Sequence, residues 1–147
     1  MEKLLETLRI VATWVALNTG YPMPDVLPVV QFRSGEEMRQ MAFCTETPCR
    51  AENLPAIQIV ALYEHGARRI LLREGTDFYS VEHQGTLVHE LTHYMQEMAG
   101  KFGRYCVGLL EMEAYEIEDK WLKEHGLPPI RRSPAIIMAT QCIPGQT

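Results

Sequence analysis

Residues 80–99 read Ser80-Val-Glu-His-Gln-Gly-Thr-Leu-Val-His-Glu-Leu-Thr-His-Tyr-Met-Gln-Glu-Met-Ala99, and this stretch decides the fold. Val81, Leu87, Val88, Leu91, Tyr94, Met95 and Met98 recur at helical spacing and predict a long helix with a wide apolar face. Ser80 is placed to cap its start, and Gly100 can take the left-handed conformation just past its end. Inside this helix lies His89-Glu-Leu-Thr-His93. Residues four apart stand one turn above each other on one face, so His89 and His93 can aim two imidazoles at one point. Neutral imidazole is a good zinc ligand. Glu90, beside His89, can lean over the same point without binding it and take a proton from a zinc-bound water.

Working outward, the elements on both sides predict one α+β domain over residues 1–147. Leu4, Leu5, Leu8, Val11, Ala12 and Val15 form an N-terminal amphipathic helix that ends near Gly20. The Val-rich run 27–32 reads as a strand, and Ser34 caps a following helical turn. Residues 56–63 and 69–73 read as two strands of a hairpin turning at Gly66. After the long helix, a third helix is expected over 106–124, stopped by Gly126-Leu-Pro-Pro129. Ser133-Pro134 predicts a short last helix with Ser133 as its cap. The order is helix, small sheet, active-site helix, then a helix rich in glutamate.

Composition narrows the function classes. The 14 basic and 19 acidic residues leave a net charge of −5, which argues against a nucleic-acid-binding face. Arg68-Arg69 and Arg131-Arg132 are too short to act as phosphate patches. No run approaches the roughly 18 apolar residues a membrane span needs. No cleavable targeting segment is read at the start, so a cytoplasmic location is the default expectation.

Two histidines do not complete a catalytic zinc site; a third protein ligand is needed. No histidine lies between His93 and His125, but the next helix carries Glu111-Met-Glu-Ala-Tyr-Glu116-Ile-Glu-Asp119. Glu111, Ala114, Tyr115 and Glu118 share one helical face. Ala114 would let two helix backbones approach, and Tyr115 could hydrogen-bond a ligand. Glu111 is therefore the favoured third ligand, with Glu113 second and Glu116 third; most of the acids on this helix read as a solvated face. For donors to a reaction oxyanion, His83, Tyr105 and Tyr115 are candidates by nearness to the motif, with packing or surface roles as the alternative. His65 and His125 sit in turn-like contexts and read as solvated.

His89-Glu-Leu-Thr-His93 followed by Glu111-Met-Glu-Ala-Tyr115 resembles the gluzincin zinc peptidases, and the small size resembles their minimal, minigluzincin-like members. The resemblance covers roughly residues 55–122. It implies a zincin-like fold, His89, His93 and Glu111 as zinc ligands, and Glu90 as general base. The implied activity is hydrolysis of a peptide or protein substrate by a zinc-activated water. One departure stands out: the acid that usually follows four positions after the ligand glutamate is Tyr115 here. A non-catalytic or regulatory zinc-binding domain is the alternative, against which Glu90 argues, since a structural site needs no base.

Four cysteines, at 44, 49, 106 and 142, admit two bridges, Cys44–Cys49 and Cys106–Cys142. Paired, they would indicate a periplasmic or secreted protein; reduced, a cytosolic one.

Overall fold

The structure, a computed structural model, describes residues 2–44, 50, 52, 54–130 and 134–142. Among them, five helices and a three-stranded sheet form an α+β fold. Helix α1 is Glu2–Thr19, strand β1 Val29–Arg33, helix α2 Gly35–Phe43, strand β2 Ala61–Glu64 and strand β3 Arg69–Arg73. Helices α3 (Val81–Met98), α4 (Val107–Glu124) and α5 (Pro134–Ala139) follow. None of the described helices is long and apolar enough to cross a membrane.

The sheet order is β1-β3-β2, with β1 parallel to β3 and β2 antiparallel to it. The central strand reads Arg-Ile-Leu-Leu-Arg, and Ile70, Leu71 and Leu72 are all fully buried. Alternate strand residues point to opposite faces, so both faces of β3 are covered. Ile70 and Leu72 join the core formed with α1 and α3. Helix α2 packs over β2 and β3 and contributes the fully buried Met38.

Helix α3 is the axis of the molecule. Every residue from Leu87 to Gln96 is buried, so this segment is enclosed all round. Leu87, Val88, Leu91 and Met95 meet the core of α1 and the sheet, while α4 packs along another side. The close approach of α3 and α4 rests on small residues. Ala114 is fully buried, and a Cβ on Gly85 would stand 3.2 Å from Leu122 Cδ2. Ser80 Oγ accepts the His83 backbone N–H at 3.3 Å, the expected cap of α3. Ser34 caps α2 by accepting the Glu37 N–H.

The hairpin forms as expected, turning at residues 65–68 with Gly66 at φ +85°. Its first strand is shorter than expected. Residues 56–60 lie outside the sheet, and β2 begins at Ala61. The reason is the length of the partner: β3 ends at Arg73, whose N–H bonds Val60 O, and the chain then turns away at Gly75. The first strand likewise begins at Val29 rather than at residue 27.

The Cys106–Cys142 bridge is formed, with the Cα atoms 5.8 Å apart. The expected Cys44–Cys49 pair and the Ser133 cap fall outside the described residues.

Candidate metal centre

Helix α3 presents His89 and His93 on its α4 side, and α4 answers with Glu111. The His89 Nε2 and His93 Nε2 atoms are 3.2 Å apart. Glu111 Oε1 lies 2.5 Å from His93 Nε2, and Glu111 Oε2 lies 3.5 Å from His89 Nε2. One donor atom from each residue falls within 4.8 Å of the others. Both histidines are buried, and Glu111 is partly so.

The two alternatives to Glu111 stand elsewhere. Glu116 is exposed. Glu113 faces away from the cluster and accepts hydrogen bonds from Gln96 Nε2 at 2.9 Å and from Tyr21 Oη at 2.5 Å.

Each histidine is oriented from behind. His93 Nδ1 meets Gln96 Oε1 at 2.8 Å, and the Gln96 amide nitrogen donates to Leu110 O and to Glu113. Gln96 is fully buried, and its partners leave only its carbonyl for the imidazole, so Nδ1 carries the proton. A chain of contacts therefore runs from Tyr21 through Glu113 and Gln96 to His93. On the other side, Glu118 Oε1 lies 3.1 Å from His89 Nδ1. That nitrogen has no well-aligned hydrogen bond, so the contact acts by charge more than by direction.

The electrostatics follow from burial and proximity. Burial opposes charge on His89, but the Glu111 and Glu118 carboxylates outweigh it and hold its pKa well above the ordinary histidine range. Burial also opposes ionisation of Glu111, but the two imidazoles beside its carboxylate win and hold it well below the carboxylate range. Glu90 is different. Burial raises its pKa, and the neighbouring imidazoles and the Tyr63 backbone N–H offset only part of that rise. Its Oε1 is 4.0 Å from His89 Nε2, and its buried Oε2 has no hydrogen-bond partner.

The edge strand is held beside this cluster. Tyr63 Oη donates to Glu97 Oε1 at 2.5 Å, and the Gly66 N–H donates to the same carboxylate. This clasp ties the hairpin to the end of α3 and sets the Tyr63 ring near the His93 ring, with centroids 6.3 Å apart. A cleft of about 210 Å³ opens between 58–61 and the cluster, lined by His89, Glu90, Tyr115 and Glu118 among others. It adjoins a hollow of about 440 Å³ that shares Val60, Thr86, Glu118 and Ile130.

Of the three oxyanion candidates, Tyr115 borders the cleft, with its ring 4.4 Å from that of His89. His83 lines the neighbouring hollow, its Nδ1 close to Ser80 Oγ and Asp77 O. Tyr105 is about half exposed and stands under Lys101, outside the cleft lining. His65 stacks on Phe102 and His125 lies tilted against Trp121; both are exposed.

Sequence reasoning missed the role of Gln96, although its position three residues after His93 places it on the same face. It named Glu118 as a face-mate of Glu111 without a task. Glu118, one turn beyond Tyr115, supplies the carboxylate near His89 that the Tyr115 position does not. Nothing in the local sequence marks Tyr21.

Fold and site together define a small α+β domain with a two-histidine, one-glutamate cluster between two packed helices. The chain belongs to the family described as Domain of unknown function (DUF6647), whose profile matches residues 1–146. No curated protein and no solved structure matches the chain.

Proposed function

We propose that the chain is a zinc-dependent metallopeptidase of zincin-like fold, in which His89, His93 and Glu111 hold the metal and Glu90 is the general base. The convergence of two imidazole nitrogens and one carboxylate within 4.8 Å carries this reading. The donors fit zinc: two imidazole nitrogens and one carboxylate oxygen make up the three-ligand set of catalytic zinc sites, which leave one position open. The two Nε2 atoms stand 3.2 Å apart with the Glu111 carboxylate beside both, so one cation could be shared by all three. The unpartnered, buried Glu90 Oε2 marks an acceptor waiting for a donor.

When bound, zinc supplies a Lewis acid that acidifies water and polarises a carbonyl. The protein supplies the rest. Gln96 holds the proton on His93 Nδ1, so the Nε2 lone pair points into the site. The Glu118 carboxylate, 3.1 Å from His89 Nδ1, favours a proton on that nitrogen by its charge. Glu90 receives a proton at Oε2 from the attacking water, and burial makes it a stronger base than a surface carboxylate. Val60 O pairs with Arg73, so by antiparallel alternation the main-chain groups of Ala61 point to the open edge. An extended peptide would pair there, alongside the residues that would hold the metal. The Cys106–Cys142 bridge supports an oxidising compartment.

Elemental analysis of the purified protein should find close to one zinc per chain, and His93→Ala should remove it. Full zinc occupancy in that variant would refute the site. A wild type that holds zinc yet cleaves nothing in a broad peptide library would instead establish a non-catalytic zinc domain.

A further inference from the structure

The C-terminal segment reaches back over the proposed active site. Ile136 of α5 lines the cleft together with His89, Glu90 and Tyr115. Among the described side chains of α5, Ile137 and Met138 are exposed and none belongs to the core. Two other features hold the segment. The Cys106–Cys142 bridge ties the residues just beyond α5 to the cap of α4. Gly108, in the first turn of α4, leaves room for the backbone of Thr140 and Gln141; any Cβ there would collide with Gln141 O. The bridge and the glycine seat the end of the segment on α4, and Ile136 of the same segment stands at the cleft.

We infer that α5 is the outer wall of the substrate groove, with Ile136 touching the bound peptide opposite the open edge of β2. This rests on the peptidase reading above. A groove walled on one side by a strand edge and on the other by α5 takes a single extended chain, so the substrate class is unfolded polypeptide rather than a surface loop of a compact protein. The bridge sets the position of the wall and takes no part in holding the metal.

The test uses the full-length zinc-loaded protein and fluorescein-labelled β-casein as an unfolded substrate. Ile136→Ala should raise KM by roughly 5- to 50-fold, as expected for losing part of a buried apolar contact, with kcat and zinc content unchanged. Cys142→Ser should raise KM similarly and should speed amide hydrogen exchange in residues 134–142. Ile137→Ala, on the exposed side of α5, should alter neither. If Ile136→Ala leaves KM unchanged while wild type cleaves casein, the wall is refuted and the peptidase reading stands. Unchanged exchange in Cys142→Ser refutes the tether. A wild type that cleaves library peptides but no casein refutes unfolded polypeptide as the substrate class and leaves the peptidase reading standing; one that cleaves neither overturns both.

Discussion

Gln96→Met tests the contact chain behind His93. The substitution keeps length and approximate volume and removes the amide. In the native protein the Gln96 amide meets His93 Nδ1 at 2.8 Å, Leu110 O at 2.9 Å and Glu113 Oε1 at 2.9 Å. Leu110 O lies within α4 and keeps its helical hydrogen bond. Glu113 keeps its bond from Tyr21. His93 Nδ1 loses its partner in a buried site, and one such group costs about 1–3 kcal/mol. Urea unfolding of the metal-free protein should report a loss in that range. Zinc affinity should fall by about 10- to 100-fold, the usual effect of removing a hydrogen bond to a ligating histidine. Competition with a chromophoric chelator measures it. Gln96→Glu restores an acceptor for His93 but sets a carboxylate against Glu113, so it should recover zinc affinity and not stability. A Gln96→Met protein with native zinc affinity and native stability would refute the proposal that this contact chain orients His93.

Glu90→Gln should leave zinc content and melting temperature close to wild type and lower peptide hydrolysis by roughly 10²–10⁴-fold, the usual worth of a positioned general base; hydrolysis at the wild-type rate would exclude Glu90 from that role. Glu111→Gln should weaken zinc binding far more than Glu113→Gln, and the reverse order in a chelator titration would move the third ligand to Glu113. Alkaline unfolding should expose the Tyr63–Glu97 clasp. Burial, then the Glu97 hydrogen bond, raise the Tyr63 pKa well above its ordinary value of 10.0. The folded protein keeps this proton while the unfolded chain releases it, so stability should fall as pH rises past about 10. Tyr63→Phe should flatten that fall, and an unchanged slope would show that the clasp does not hold the proton.

The local elements were legible in the sequence because each depends on neighbours along the chain. The apolar spacing of 81–98, the Ser80 cap and the glycine at 100 specify α3 by themselves, and with it the one-turn separation of His89 and His93. The same holds for α1, for α4 and for the turn at Gly66. Tertiary structure decided the rest. The extent of β2 depends on where β3 ends, which no pattern in 56–60 records. The choice of Glu111 over Glu113 depends on the rotation of α4 against α3. Their close packing at Gly85 and Ala114 turns Glu111 to the histidines and Glu113 to Gln96 and Tyr21. Both glutamates are local equals on a helix, and only the facing helix distinguishes them. The polar contacts behind the histidines are likewise tertiary. Tyr21 meets Glu113 across 92 residues of chain, and such a pair follows from packing the core, which brings α1 and α4 together, and not from any spacing along the chain.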